Sequence, residues 1–499
     1  MATVEGHGSA PGEYPVVVVG SGPGGLQVSY FLTRLGIDHA VISADEGPAG
    51  MFRRFPLFDR LISWTKPEAP VRPGSREYQW YDWNSLLVED PDEWVGVASF
   101  MDETSIFPSR AEMEASLVAF ADRVGITARY GCRWLSTRRT DDGWFVLETT
   151  EGEYRCRVPV FASGVSAPYK PPDIPGIEHV PHYMEVGPPD DYKGKSLFIL
   201  GKAISAFEVA TGLLSSVRSV VLASPHEVRL TALERSFGGL RARYMQPYED
   251  FALEGRTVSL LNASTERFER TASGFRIYLR GSDRVWDLVL DVDEAIAATG
   301  VSANLGDLPL LGVATVRRGG VLPALTPFWE SPTVPGVYFA GSTSQGSFGL
   351  HGYGVGAVHG FRFCARILAG HIAEQHFGIE RARPRLAADE VVPYLLREVT
   401  FAPELWHQRG VLGRVITFDP AQGIVDEGIL PLAHFVDEAG PDGVAAGVVS
   451  QDEGALQPVF YLRRGGDVEE HILDPTVEVD FRTPEHAEAL SGLLGSLLS

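Results

Sequence analysis

The stretch that decides the fold is Tyr14-Pro-Val-Val-Val-Val-Gly20-Ser-Gly22-Pro23-Gly24-Gly25. Its valine run is typical of a buried parallel strand. The residues that follow carry apolar side chains at helical spacing, and residues 39–43 form the next strand of the pattern. The glycines therefore stand where a strand turns into a helix. They permit a tight turn, a close backbone approach to a pyrophosphate and close packing of the helix on the strand, so the stretch predicts a dinucleotide site at the helix N-terminus.

The segments after this turn indicate which dinucleotide is bound. The acid that commonly binds the adenosine ribose is missing at the end of the second strand, where Ser43 stands, and Asp45 lies two residues further on. Either side chain is a candidate for the ribose, or both belong only to the loop. Residues 47–52 then form a glycine-rich loop of the kind that runs along the pyrophosphate toward a flavin ring. The first site is therefore predicted to bind FAD, with Met51 and Phe52 beside it.

The same organisation recurs later in the chain. A strand at residues 196–200 meets Gly201-Lys-Ala203-Ile-Ser205-Ala206, a helix follows, and residues 219–223 form the next strand. Each half then shows hairpin-like alternation, which predicts a small antiparallel sheet, and a short strand that ends in a similar tripeptide. The tripeptides are Ala162-Ser-Gly164 and Ala298-Thr299-Gly300. The repeat predicts a second nucleotide site formed by Gly201, Ala203, Ser205, Ala206, Thr299 and Gly300.

A third glycine-rich region precedes a further helix. A strand ends at Gly341-Ser342, residues 344–356 are rich in glycine, and apolar residues then follow a helical spacing. The N-terminus of such a helix can hold a phosphate or the negative charge of a reduced flavin. Gly164, Gly341, Ser342 and Gly352 are therefore predicted to contact FAD. His351 is a candidate acid or base near the flavin, or else a loop histidine with local partners.

The order of these motifs resembles the flavin-containing monooxygenase superfamily, and within it the branch of FAD-dependent oxidoreductase domain-containing proteins. The resemblance covers about residues 12–375. Besides the first glycine turn, the residues that carry it are Arg54-Phe-Pro, Arg60-Leu-Ile-Ser, Asp82-Trp-Asn-Ser-Leu-Leu, Leu200-Gly-Lys-Ala-Ile-Ser-Ala-Phe-Glu208, Tyr338-Phe-Ala-Gly and His359-Gly-Phe-Arg. The resemblance implies FAD at the first site, NADPH at the second, hydride transfer to FAD, and a hydroperoxyflavin that oxygenates a small organic substrate.

Four departures from that pattern leave the function open. Ala203 replaces a glycine, no arginine directly follows the strand at 219–223 (Arg229 lies further on), the F-x-G-x-x-x-H signature is missing from 176–183, and Ser342 replaces an aspartate. The choice between NADPH and NADH is therefore unresolved. We favour an NAD(P)H-dependent monooxygenase. The alternatives are a flavin oxidase or dehydrogenase that its substrate reduces directly, with a vestigial second site, and a non-enzymatic flavoprotein adaptor.

The composition narrows the partners. A formal net charge of -22 over 499 residues repels nucleic acids and anionic membranes. Cys132, Cys156 and Cys364 are widely spaced, so neither a redox dithiol nor a cysteine zinc site is expected. No signal-peptide pattern occurs, and no apolar run approaches the ~20 residues of a membrane span. We expect a cytoplasmic protein that acts on a small-molecule substrate and molecular oxygen, with no metal, while homo-oligomer formation stays open.

The predicted fold class is α/β, with two Rossmann-like FAD/NAD(P)-binding domains, the second inserted in the first, and a C-terminal α+β extension. The FAD domain is expected at residues 12–167 and 295–375, the NAD(P)H-binding domain at 168–294, and the extension at 380–499. Within the extension, residues 459–463 and 477–481 predict strands and residues 483–498 a helix. The aromatic-rich residues 58–107 are expected near the flavin or in a core, Ser109 and Glu112 predict a helix capping box, and His359 is expected to be structural.

Overall fold

The computed structural model describes residues 8–58, 60–234, 239–254, 257–317, 320–346, 350, 356–419, 421, 423–450 and 455–498. The helices are α1 Pro23–Arg34, α2 Arg110–Arg123, α3 Ile204–Leu213, α4 Thr231–Glu234, α5 Ala242–Glu254, α6 Leu308–Leu311, α7 Val358–Phe377, α8 Ala388–Phe401, α9 Pro403–His407, α10 Leu432–Asp437 and α11 Pro484–Leu498. The strands are β1 Gly12–Val19, β2 His39–Ile42, β3 Trp134–Arg139, β4 Phe145–Thr149, β5 Gly152–Phe161, β6 Ala167–Pro168, β7 Ser196–Leu200, β8 Ser219–Ser224, β9 Val258–Arg270, β10 Phe275–Gly281, β11 Asp287–Val292, β12 Glu294–Ala297, β13 Val301–Ser302, β14 Thr315–Arg317, β15 Val321–Pro323, β16 Tyr338–Phe339, β17 Leu412–Asp419, β18 Gly423–Pro431, β19 Gly443–Ser450, β20 Leu456–Arg464 and β21 Asp467–Ile472.

The first sheet is built around β1. Its strand order is β2-β1-β5-β4-β3, with β16 paired to β5. β1 runs parallel to both β2 and β5, so that Val19 lies opposite Ile42 on one side and Phe161 on the other. The valines of β1 are buried, as expected for a strand covered on both faces. Helices α1 and α7 pack against each other in the core on one face of this sheet.

The hairpin of the first half is not a separate small sheet, and that prediction was wrong. β5 is one continuous strand that pairs antiparallel with β4 and parallel with β1. Tyr154, Cys156, Val158 and Val160 along β5 are all fully buried. This period-two pattern does not break between the hairpin and the last strand, so one strand serves both.

The second sheet has the order β11-β10-β9-β8-β7-β12. Strands β12, β7, β8 and β9 run parallel to their neighbours, whereas β9, β10 and β11 form an antiparallel meander. All of these strands come after β5 and before β16 in the chain. The second domain is therefore inserted in the first, and the predicted fold class is confirmed.

The extension contains a five-stranded antiparallel sheet of order β18-β17-β19-β20-β21, with α8, α9 and α11 packed on one face. The predicted strand at 459–463 lies within β20, and the predicted terminal helix is α11. The strand predicted at 477–481 is wrong. There Val477 is fully exposed, Val479 has a φ of 53° and its N–H donates to the Thr476 carbonyl, so the segment is a turn in which only Phe481 is buried.

The aromatic-rich segment 58–107 contacts the extension. The Trp80 ring packs against Trp406, and its Nε1–H donates to the Phe401 carbonyl at 2.8 Å. After this segment, α2 begins with the predicted capping box of Ser109 and Glu112. Among the helices within the described residues, none has the length and apolar character to cross a membrane.

Candidate functional site

The first glycine turn is held between two strand ends. The Gly20 N–H donates to the Ile42 carbonyl at 2.8 Å, which ties the end of β1 to the end of β2. Gly20 has a φ of 117°, and a Cβ there would lie 2.4 Å from the Ala162 carbonyl oxygen. A Cβ on Gly25 would lie 1.9 Å from the Gly20 carbonyl oxygen, so α1 packs directly on the strand end. Only glycine fits at these two positions.

Backbone from three parts of the chain meets around the start of α1. A Cβ on Gly24 would lie 2.3 Å from the Gly341 Cα, and a Cβ on Gly50 would lie 3.1 Å from the Gly22 Cα. A Cβ on Gly22 itself would meet nothing described closer than 4.0 Å, so the space in front of it is open on the protein side. Pro23 is the first residue of α1, and no described side chain caps the helix. The first N–H groups of α1 therefore face a cradle that fits a pyrophosphate.

Ser43 and Asp45, the two ribose candidates, differ in their partners. Ser43 is buried, and its hydroxyl accepts hydrogen bonds from the Ser21 hydroxyl at 2.8 Å and from the Asp45 N–H at 3.2 Å. The Asp45 carboxylate forms no hydrogen bond or ion pair with any described residue, and its Oδ2 lies 3.7 Å from a Cβ placed on Gly50. Ser43 therefore holds the turn together, whereas Asp45 offers an unused acceptor beside the cradle.

The ends of β5 and β16 bring two more predicted residues together. Gly164 has a φ of 77°, and the Ser342 hydroxyl accepts a hydrogen bond from the Val165 N–H at 3.2 Å.

Met51 and Phe52 lie in a single 3-10 turn, in which Phe52 packs on the core of the first domain and Met51 on that of the second. The predicted residues His351 and Gly352 lie outside the described part of the chain.

The second turn repeats the geometry of the first. The Gly201 N–H donates to the Ala223 carbonyl at 2.8 Å, Gly201 has a φ of 131°, and a Cβ there would lie 2.5 Å from the Ala298 carbonyl oxygen. Ala203 is the N-cap residue of α3, is exposed and has an extended backbone, while Ala206 is buried. The Ala203 methyl group is therefore compatible with the turn itself.

The other residues predicted for the second site have partners in the linker between the domains. The Thr299 hydroxyl donates to the Tyr169 carbonyl at 2.6 Å, and the Gly300 carbonyl lies 2.8 Å from His182 Nε2. A hydrogen bond from Ser205 to Tyr183 only partly offsets the burial that raises the pKa of Tyr183. These contacts fix the strand end and α3 on the linker.

Lys202, which follows the first glycine of this turn, was not singled out from the sequence. Its side chain is 8% exposed, and Nζ donates to Asn262 Oδ1. Burial lowers the pKa of Lys202, and the charge of Glu227 partly opposes this. The signal that could have found it is the alignment of the two glycine turns, which places Lys202 opposite Ser21.

A cluster of aromatic and imidazole rings surrounds the start of α7. His359 stacks on Trp83 with ring centroids 4.6 Å apart, Trp64 meets Trp83 edge to face at 5.5 Å, and His407 of α9 lies 5.4 Å from His359. Burial, and then the charges of Arg362, Arg241 and Arg409, lower the pKa of His359 to about 3. We call Trp64, Trp83, His359 and His407 the ring cluster. Its imidazoles are neutral at physiological pH.

The aromatic segment is also fastened to α7 by a buried arginine. Arg362 donates to the Ser85 carbonyl at 2.7 Å and to the Asp82 carbonyl at 2.9 Å. At the other end of the ring cluster, Lys66 Nζ lies 4.3 Å from the centre of the Trp64 ring. His359 is buried, which agrees with the expectation that it is structural. Its contact with His407 is not predicted, because His407 belongs to the extension.

The three cysteines are buried and unpaired. Burial raises the pKa of Cys364 to about 12 and also raises that of Cys156. A thiol that stays protonated is a poor nucleophile. The described residues also contain no group of histidine, cysteine and acidic side chains arranged to hold a metal.

Comparison with known families covers both glycine turns. The sequence profile of the pyridine nucleotide-disulphide oxidoreductase family matches residues 17–341, more than half of the chain. The chain belongs to this family. As a member it is an oxidoreductase, and the predicted cofactors, FAD and NAD(P)H, are confirmed at the level of the family.

This oxidoreductase also has a similar mammalian relative. It is 27% identical over 430 residues to FAD-dependent oxidoreductase domain-containing protein 2 of Mus musculus, a match that covers 80% of this chain and 64% of the relative. The chain thus spans under two thirds of that relative's length. The match confirms the resemblance that the motifs predict.

Two solved structures share the fold of this oxidoreductase. The bacillithiol disulfide reductase Bdr from Staphylococcus aureus matches with a TM-score of 0.56 and 15% identity, covering 73% of this chain and 99% of that one. A flavin-containing monooxygenase from Stenotrophomonas maltophilia matches with a TM-score of 0.55 and 17% identity, covering 72% and 98%. The fold alone therefore accommodates both a disulfide reductase and a monooxygenase.

Proposed function

We propose that the chain is an FAD-dependent monooxygenase that takes its electrons from NAD(P)H. The observation that carries this proposal is the state of its thiols. A reductase that passes electrons from flavin to a disulfide through its own cysteines needs an accessible thiolate. Cys132, Cys156 and Cys364 are buried, lie on different elements and form no disulfide. Molecular oxygen is an acceptor that requires no such thiol, and we assign it here.

The overall reaction balances with the substrate left as a class. NAD(P)H, a proton, molecular oxygen and a small organic molecule give NAD(P)+, water and the oxygenated product. Bound FAD would supply the transfer of two electrons from nicotinamide to oxygen. The chain's own part is to bind the pyrophosphate at the start of α1, which has no side-chain cap in the part of the chain that the structure describes.

We place the flavin ring beside the ring cluster, whose buried imidazole rings would keep its surroundings dry. His359 and His407 are 4% and 1% exposed, and both remain neutral because burial lowers their pKa values. Among the described residues no side chain caps the N-terminus of α7, and we assign its N–H groups to negative charge on a flavin ring. Exclusion of water and a fixed positive dipole end favour oxygen transfer over loss of electrons to peroxide.

The alternative of an oxidase with a dead second site is favoured by departures in the sequence, among them Ala203 and the missing arginine directly after β8. The geometry of the turn around Ala203 argues against that alternative. The turn around Gly201 keeps the same hydrogen bond and the same positive φ as the turn around Gly20, and the Ala203 side chain is exposed rather than packed into the turn.

Anaerobic flavin reduction tests the proposal. Purified holoprotein is mixed with NADPH or NADH under nitrogen, and the absorbance near the flavin maximum is followed before oxygen is admitted. We expect bleaching by at least one dinucleotide and recovery on addition of oxygen. Absence of bleaching with both contradicts the proposal and favours the oxidase or the adaptor. Rapid reduction of 5,5′-dithiobis(2-nitrobenzoate), lost in a Cys364→Ser variant, favours a disulfide reductase.

The proposal includes the domain bounds. The FAD domain comprises residues 12–167 and 295–375, the NAD(P)H-binding domain residues 168–294, and the extension residues 380–499. Unpaired cysteines support a reducing, cytoplasmic compartment. The partners are a small-molecule substrate and oxygen, without nucleic acid or a membrane, as the net charge of -22 favours.

A further inference from the structure

Lys202 occupies an equivalent position to Ser21. In each domain the first glycine of the turn donates its N–H to a carbonyl at the end of the neighbouring strand, at 2.8 Å from Gly20 to Ile42 and at 2.8 Å from Gly201 to Ala223. One residue past the carbonyl is a serine in both domains, Ser43 and Ser224.

The side chains at these equivalent positions behave differently. Ser21 is short and donates to the Ser43 hydroxyl. Lys202 is long enough to pass Ser224 and reach Asn262, which pairs with Ser224 between β8 and β9. Its ammonium group therefore lies at the end of β8, where a Rossmann-type domain contacts the ribose 2′ position of a bound dinucleotide. NAD-binding domains place a carboxylate there, and this chain places a cation.

The charge of Lys202 is only partly offset inside the described chain, by the carboxylate of Glu227. Its hydrogen-bond partner Asn262 is neutral, and Lys202 forms no ion pair with a described residue. The neighbouring acid, Glu227, is exposed and forms no ion pair with a described residue either. Burying a cation without a counter-ion is costly, and a ligand phosphate at the end of β8 would remove that cost.

We infer that Lys202 recognises the 2′-phosphate of NADPH and makes the second site selective for NADPH over NADH. The inference rests on the proposed function, in which this site binds the electron donor. It assigns the choice of nucleotide to a residue that precedes α3, where the usual arginine after the second strand is absent.

NADPH and NADH differ only in the 2′-phosphate on the adenosine half of the molecule. The test therefore measures the binding of two adenosine fragments, 2′,5′-ADP and 5′-AMP, to the holoprotein by isothermal titration calorimetry. We expect the wild type to bind 2′,5′-ADP about tenfold or more tightly than 5′-AMP, as for a charge-assisted contact to phosphate. Lys202→Gln keeps a donor for Asn262 without the charge and should bring the two affinities within about twofold of each other.

A lysine at the other end of β7 provides the control. Lys195 pairs with Glu294 at 2.8 Å and is 39% exposed, so Lys195→Met removes a lysine far from the turn and should keep the wild-type preference. Equal affinities in the wild type, or a preference retained by Lys202→Gln, overturn the inference. If NADH bleaches the flavin and the 2′-phosphate has no effect, the inference fails and the proposed function stands. If 2′,5′-ADP binds with the expected preference but neither dinucleotide bleaches the flavin, the inference stands and the proposed function fails.

Discussion

Arg76 forms a bidentate ion pair with Glu398, with Nη1 3.0 Å from Oε1 and Nη2 2.9 Å from Oε2. The pair joins the aromatic segment of the first domain to α8 of the extension. Arg76 also donates to Glu404 of α9, while Arg414 of β17 donates to Glu398 at 2.7 Å. Both carboxylates are buried, at 3% and 2% side-chain exposure. The extension is therefore attached through two carboxylates that are out of contact with water and a partly exposed arginine.

Replacing Arg76 by methionine should destabilise the whole protein. Glu398 and Glu404 would each lose a donor while remaining buried. We expect a loss of about 2 kcal/mol, below the ~3–5 kcal/mol of a fully buried pair, because Arg76 is 37% exposed and Arg414 and Arg366 remain. Urea unfolding measures it. The control is Arg138→Met, which removes an exposed pair with Glu153 and should cost under about 1 kcal/mol. Equal losses for the two variants would contradict the buried role.

The same carboxylates predict how stability depends on acid. Burial alone would raise the pKa of Glu398, but the hydrogen bond from Arg76 and the charges of Arg414 and Arg76 outweigh it and lower the pKa from 4.5 to about 2. The stabilisation is therefore complete above pH 4.5 and is lost as the pH falls toward 2, at up to about 1.4 kcal/mol per pH unit. Chemical unfolding across this range should give a shallower pH dependence for Glu398→Gln. Parallel curves for variant and wild type would exclude Glu398 as a source of the slope.

Two alanine substitutions in the first turn should separate folding from flavin binding. Gly22→Ala adds a Cβ that meets no described atom closer than 4.0 Å, at a φ of -73°, so the protein should fold but bind little FAD because the methyl group enters the pyrophosphate space. Gly24→Ala drives its Cβ to 2.3 Å from the Gly341 Cα and should lose both stability and flavin. Flavin absorbance and melting temperature together measure this.

A control for these variants lies in α7. Gly370 is helical and has no described atom within 4 Å of an added Cβ, so Gly370→Ala should retain FAD and gain about 0.5–1 kcal/mol in stability. A folded, fully yellow Gly22→Ala variant would show that the pyrophosphate does not approach this glycine.

Asp45 is expected to bind the adenosine ribose in place of the missing acid. Its carboxylate lies beside the cradle and has no partner among the described residues. Asp45→Ala should weaken FAD binding about tenfold, by the loss of hydrogen bonds to a charged acceptor, and should leave the melting temperature of the apoprotein unchanged. Ser43→Ala should instead lower that temperature, because the Ser21 hydroxyl keeps only its longer contact to the Gly47 carbonyl at 3.3 Å and the Asp45 N–H loses its acceptor. Titration of both apoproteins with FAD distinguishes these two roles. An unchanged FAD affinity for Asp45→Ala would show that Asp45 is only a loop residue and does not bind the ribose.

Local patterns in the sequence were sufficient for the two glycine turns. A strand, a glycine turn and a helix are close in sequence, so the valine run before Gly20 and the run before Gly201 predict both domains. The hairpin alternation predicts a separate small sheet, but β5 continues past the hairpin. The signal for this is the alternating burial that runs along β5 through to Val160. The alternation over residues 477–481 predicts a strand, but the segment is a turn. Of its alternating residues only Phe481 packs in a core, whereas Val477 is fully exposed.

The contacts between distant segments could not be predicted in the same way. Trp83, His359 and His407 are brought together by the packing of three separate elements, and a single sequence carries no local signal for that. Lys202 is different, because aligning the two glycine turns places it opposite Ser21.

The Arg76–Glu398 pair also bears on how the protein is made. Arg76 leaves the ribosome 322 residues ahead of its partner. Until α8 emerges, the guanidinium group stays hydrated and the aromatic segment lacks the elements that bury it. A portion translated later therefore completes the interior of the first domain, and a chain released before residue 398 would carry the glycine turn without the partner of Arg76.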